Sequence, residues 1–194
     1  NKFLALRVST LANVGAYISS IRNLLSTFAN VGTLVGVYRF QAAHSKVLCV
    51  LSNTNPTAPY RGAGRPEATY VIERIIEKAA NELSLDPAEL RRRNFIAPDA
   101  FPYQTPVALL YDSGEYEKTL AMAIAAADVS GFAARKQASQ AAGLLRGIGY
   151  SLPIEATGAA PSAIAGQLGA RAGLWESAEL RFNATGTVTV FSGA

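Results

Sequence analysis

The amino-acid sequence predicts an α+β fold, and three observations carry that expectation. Strand-like segments lie near both ends, helical segments are grouped between them, and the two kinds do not alternate as a doubly wound sheet requires. The expected architecture is a mixed set of strands with one cluster of helices. It is incomplete at both ends, because Asn1 is not an initiator Met and the last strand pattern stops at Ser192, Gly193 and Ala194 in the middle of an element.

Taken in order, Phe3 to Val8 and Asn13 to Tyr17 have strand character, separated by polar residues over 9–12. Residues 20–36 fit either a short helix or a loop. A second extended segment covers 46–51, and Ser52 to Pro59, with two prolines and two asparagines, can continue neither helix nor inner strand. Pro66 is a good first helical residue and Glu67 a favourable first-turn anion, so a helix is expected over 66–83. Its apolar set, Val71, Ile72, Ile75, Ile76, Ala79, Ala80 and Leu83, forms one broad stripe. Asp86, Pro87 and Glu89 start a second short helix through Arg93, and Asp112 with Glu115 reads as the cap of a third, carrying Leu120, Ile124 and Ala127. A fourth runs over 132–142 and ends at Gly143. Beyond it Gly147 to Leu152 reads as strand, with Gly143, Gly147 and Gly149 as packing or bulge positions. Residues 156–173 read as a loop or linker, and 178–182 with 187–191 as a hairpin about the turn 183–186. A domain boundary is expected near 143–146, dividing 1–143 from 144–194.

Of the residues, 49% are hydrophobic and 16% charged, the profile of a well-buried globular protein. No apolar run approaches the roughly 20 residues that cross a bilayer as a helix. The net charge of +4 has one run, Arg91, Arg92 and Arg93, without interleaved aromatics, so a solvated face or a subunit contact is expected there and nucleic-acid binding is not. The single cysteine, Cys49, lies in an apolar run and reads as a buried small hydrophobe in a reducing compartment. Asn183 begins a glycosylation sequon, but the turn explains that pattern better.

Residues for catalysis are scarce. His44 has no second ligand at metal-binding spacing, and no HExxH, CxxC, GxSxG or phosphate-loop motif occurs. What remains is Tyr60, Arg61, Gly62, Ala63, Gly64 and Arg65, directly before a helix N-terminus. Two guanidinium groups, two glycines that admit close backbone approach, and the helix dipole suit an anionic or oxo-bearing group. A capping turn whose arginines form ion pairs explains the same residues equally well.

The segment from Ala58 to Ala68, followed by Glu89 to Phe95, strongly resembles the active-site loop of the molybdenum hydroxylases, the family of xanthine dehydrogenase, aldehyde oxidase and aerobic carbon monoxide dehydrogenase. The resemblance extends through residues 3–8 and 13–17 before the loop, and through 111–116 and 147–149 after it. It is closest to the carbon monoxide dehydrogenase-like branch, and this chain resembles an interior part of the large, molybdopterin-binding subunit.

The resemblance implies that Tyr60 to Arg65 line a cavity at a molybdenum held by a pterin dithiolene, as a cytosine dinucleotide in many bacteria, with no side-chain metal ligand from this chain. It implies hydroxylation of a carbon centre with water as the oxygen source. FAD and 2Fe–2S clusters are expected on a medium and a small partner subunit, in a cytoplasmic dimer of heterotrimers. The glutamate base and a Gly-Gln-Gly cofactor motif are expected beyond Ala194, so this segment alone is expected to be inactive. Glu155 and Glu179 are expected to be strand-end or surface carboxylates rather than the base. Carbon monoxide dehydrogenases place a copper-holding cysteine where Gly62 stands. Purine hydroxylases place an aromatic at Ala63 and use an arginine that is not found near Ala29. Aldehydes and nitrogen heterocycles are the substrates left open. The alternatives are a genuine carbon monoxide dehydrogenase large chain and a non-catalytic relic or structural module.

Overall fold

The computed structural model describes residues 1–20, 23–24, 31–155 and 177–192. The expectation for 156–173 and the comparison at Ala29 lie outside these residues. The chain forms two compact units, Asn1–Glu155 and Ala156–Ala194. Helices and small sheets are mixed, and no helix among the described residues is long and apolar enough to cross a membrane.

In the first unit, strand β1 (Ala5–Gly15) pairs with β2 (Ala42–Leu51) in parallel. The break expected at 9–12 does not occur: Ser9 to Ala12 face Lys46 to Cys49 in unbroken register, so ladder pairing overrides the polar interruption. Cys49 is exposed rather than buried, because β2 has no fully buried residue. His44 is exposed on the same strand.

Helix α1 (Arg65–Glu82) follows closely the expected range. It buries Ala68, Ile72, Ile76 and Ala80 against Leu34, Val35, Val37, Tyr38 and Phe40, which with Leu6 and Leu90 make the core. The expected broad stripe is narrower than its apolar content: Val71, Ile75 and Leu83 are exposed, since only the row spaced by four faces the 34–40 segment. Helix α2 (Pro87–Arg92) starts as expected, with the Asp86 carboxylate accepting from the Glu89 amide at 2.8 Å.

Two short strands, β3 (Tyr103–Gln104) and β4 (Leu110–Tyr111), precede α3 (Tyr116–Ala126). The N-cap of α3 is Glu115 without a side-chain bond, not Asp112, whose carboxylate instead accepts from the Ser113 amide. Helix α4 (Phe132–Ala141) ends at Gly143 (φ +72°), where the Leu144 amide reaches back to the Ser139 carbonyl at 2.8 Å. Residues 147–152 form no strand. No backbone ladder is available there, and Leu152 and Ile154 instead pack on the core as irregular chain. A Cβ on Gly143, Gly147 or Gly149 would meet nothing, so these are not packing positions.

The second unit contains the expected hairpin, β5 (Ala178–Phe182) with β6 (Val188–Ser192). Gly186 (φ +83°) turns it, and the Asn183 side chain donates to Thr187 Oγ1 at 3.1 Å, which gives the sequon asparagine a role within the turn.

Candidate functional site

The chain reaches the loop of Tyr60 to Arg65 through a stitched approach. Gly15 (φ +87°) ends β1 where a Cβ would lie 2.4 Å from the Asn55 carbonyl oxygen, so only glycine lets residues 52–57 cross so closely. The Thr57 amide then donates to the Val14 carbonyl at 3.2 Å. Buried Asn23 donates to the Thr57 carbonyl at 2.6 Å, and the Thr57 hydroxyl donates back to the Asn23 carbonyl at 2.8 Å. Asn23 lies in the segment whose sequence fits helix or loop equally, so sequence reasoning had no signal for this clamp.

The loop itself is a left-handed turn. Gly62 (φ +97°), Ala63 (φ +44°) and Gly64 (φ +98°) occupy the left-handed region in succession, with Ala63 N–H donating to the Tyr60 carbonyl at 2.7 Å and Arg65 N–H to the Gly62 carbonyl at 3.1 Å. Gly64 is the N-cap of α1 and supplies no side chain to the first-turn amides. Among the described residues, the amides of Arg61, Gly62 and Gly64 donate to no protein acceptor. Tyr60 is 89% exposed and Arg61 is exposed without an ion pair among the described residues.

Arg65 differs. Its Nε lies 3.1 Å from Glu155 Oε1, and its Nη1 reaches the Gly62 carbonyl at 3.4 Å. A cavity of about 370 Å³ opens beside this pair, lined by Pro66, Thr69, Tyr70, Ser151, Pro153 and Ile154 as well. A more apolar hollow of similar size, about 360 Å³ between α3 and residues 148–153, shares no residue with the loop. Thus the six expected residues are brought together, as a donor-rich turn at a helix N-terminus. The capping reading holds only for Arg65, the one that forms an ion pair.

The arginine run contains a residue that sequence reasoning misplaced. Arg91 is fully buried rather than solvated, its guanidinium 2.9 Å from Glu73 Oε2 and 3.2 Å from Glu77 Oε2. It also donates to the Tyr150 carbonyl at 3.3 Å and lies over that residue's ring at 5.5 Å. Tyr38 donates to Glu73 Oε1 at 2.6 Å, and burial beside this carboxylate raises the Tyr38 hydroxyl far above the ordinary phenol range. Burial opposes the charge on Arg91, but Tyr38 and Glu73 hold its pKa above the ordinary value. Arg92 and Arg93 do lie toward solvent, paired with Glu117 and Glu89. The only available signal was the i, i+4 placement of Glu73 and Glu77 on α1, which suits one shared cation.

Among the described residues, no three His, Cys, Asp or Glu side chains converge as metal ligands.

Comparison with known proteins gives the following. Residues 1–95 match the molybdopterin cofactor-binding domain. The carbon monoxide dehydrogenase large chains of Hydrogenophaga pseudoflava and Afipia carboxidovorans are 34% and 37% identical over 99% of this chain. The crystal structure of quinoline 2-oxidoreductase from Pseudomonas putida 86 superposes with a TM-score of 0.81, at 30% identity and over 97% of this chain. The chain spans 24% of the length of each of these three relatives, about a quarter.

Proposed function

Because the chain belongs to the family of molybdopterin-binding large subunits of molybdenum hydroxylases, we propose that the turn from Tyr60 to Arg65 holds the anionic face of that cofactor. The observation that carries this is the set of three uncommitted amides, on Arg61, Gly62 and Gly64, at a helix N-terminus without a side-chain cap. When bound, the molybdenum cofactor supplies the oxidation and oxygen-transfer chemistry. The left-handed run lets the backbone approach an oxo or phosphate group, and Arg61 adds a charge-assisted donor.

The whole large chain, about four times this length, is on this reading a hydroxylase that uses water as its oxygen source. The cofactor is the cytosine dinucleotide form, and the chain works in the cytoplasm. Its partners are a medium FAD subunit and a small 2Fe–2S subunit, in a dimer of heterotrimers. The division at 143/144 is the border between two cofactor-binding domains. Nitrogen heterocycles or aldehydes are the substrates, and the quinoline 2-oxidoreductase relative supports the heterocycle. Carbon monoxide is the second reading, favoured by the identity to the two dehydrogenase chains, but Gly62 offers no thiolate for copper.

The test replaces Arg61 by Ala in the whole large chain and measures molybdenum and pterin per polypeptide. One charge-assisted bond contributes about 1.5–3 kcal/mol, so cofactor affinity is expected to fall at least about tenfold with the melting temperature of the cofactor-free chain unchanged. Undiminished molybdenum and pterin across a dilution series would overturn the assignment of this turn.

A further inference from the structure

We infer that Glu155 is a positioning residue for this turn, acting through Arg65; the functional value of that positioning rests on the cofactor reading above. Glu155 lies 90 residues after Arg65 in sequence, and its Oε1 is 3.1 Å from Arg65 Nε. The same guanidinium reaches the Gly62 carbonyl through Nη1 at 3.4 Å. Arg65 thus connects a carboxylate at the far end of the unit to the first residue of the left-handed run.

This connection addresses a conformational problem in the turn. Three successive residues there have positive φ, one of them Ala63, a conformation that costs free energy for any residue with a Cβ. The backbone bonds that define the turn are two, Ala63 to Tyr60 and Arg65 to Gly62, and both end on exposed or half-buried residues. A fixed Arg65 guanidinium adds a third constraint on the Gly62 carbonyl, and Glu155 is the group that fixes it. Glu155 is itself held, because buried Arg91 grips the Tyr150 carbonyl and ring five residues earlier, while Leu152 and Ile154 pack on the core. The path from the core to the turn therefore runs through Arg91, Tyr150, Glu155 and Arg65. The ion pair itself is partly exposed, so its effect is local ordering rather than global stability.

The experiment is amide hydrogen exchange on the whole large chain in its complex, comparing the natural sequence with E155A, E155D and the exchanged pair R65E/E155R. E155A is expected to speed exchange of the Ala63 and Arg65 amides about tenfold, while Ile72 and Ile76 in α1 stay protected. E155D, which keeps the charge, is expected to recover most of that protection, whereas R65E/E155R, which restores the pair but leaves position 65 no side-chain proton to donate to the Gly62 carbonyl, is not. Unchanged exchange in E155A, an equal rise across α1, no recovery in E155D, or full recovery in R65E/E155R would each overturn the inference. Molybdenum content measured on the same samples tests the cofactor reading separately. Faster exchange at full molybdenum content leaves the positioning intact and removes its proposed purpose.

Discussion

At Gly62 two constraints coincide. Its φ of +97° is disfavoured for any residue with a side chain, and a Cβ there would sit 2.6 Å from Cδ and Cγ of the Pro66 ring, which cannot swing aside. Gly62→Cys is therefore expected to lower stability by about 1–3 kcal/mol, measured as a shift in the denaturation midpoint. It is not expected to create a copper site in the whole chain, because the added thiol begins from a backbone geometry that excludes it; about one copper per molybdenum in that variant would contradict this. Arg91 presents the opposite case, a buried charge that is fully partnered. Arg91→Ala leaves Glu73, 4% exposed, with a buried uncompensated charge, and an expected loss of about 3–5 kcal/mol in chemical denaturation. Glu73→Gln combined with Arg91→Met removes both charges and is expected to be far milder than the single change. A double variant as damaging as Arg91→Ala would show that packing, not charge, dominates at this position.

Among the elements, what the sequence made legible was set locally. The start of α1 followed from Pro66 and Glu67, the start of α2 from Asp86, Pro87 and Glu89, and the end of α4 from Gly143, because a cap or a fixed φ acts within a few residues. What was not legible depended on distant partners. The continuity of β1 comes from β2, and the irregular course of 147–152 is tied to Arg91, more than fifty residues away. The six loop residues could be named from the sequence, but not the Asn23–Thr57 clamp or the Glu155 contact that hold them. The glycines near the end of α4 allow a quantitative check. Gly143 has φ +72° in open space, so Gly143→Ala is expected to cost about 1 kcal/mol from backbone strain alone. Gly147, also open but without a positive φ, is expected to accept Ala within about 0.5 kcal/mol. Equal melting shifts for the two would show that the left-handed cap contributes nothing.

Over the whole molecule, the apolar surface is unevenly placed. Strands β1 and β2 form a parallel two-stranded ribbon, and parallel sheets are ordinarily covered on both faces. Here Leu11 and Leu48, paired in register, are 70% and 54% exposed, and Leu4 and Leu51 are exposed near the two ends of the ribbon. Val71 and Ile75 on α1 and Phe182 and Val190 in the hairpin add further exposed apolar side chains. Single exposed apolar residues are unremarkable, but a cross-strand apolar pair on an uncovered face of a parallel ribbon is a surface that folding normally buries. The relatives offer a source of cover, since this chain spans a quarter of their length. Residues 1–194 produced alone are therefore expected to bind a hydrophobic dye strongly and to associate at micromolar concentration. They are also expected to retain no molybdenum after desalting, because one turn cannot enclose a cofactor. The whole large chain is expected to show weak dye binding. Replacing Leu11 and Leu48 by Thr should lower dye binding of the isolated segment while leaving its circular dichroism unchanged, since threonine keeps strand propensity. A monomeric segment with weak dye fluorescence, or one that holds molybdenum in stoichiometric amount, would mean that this portion is self-sufficient.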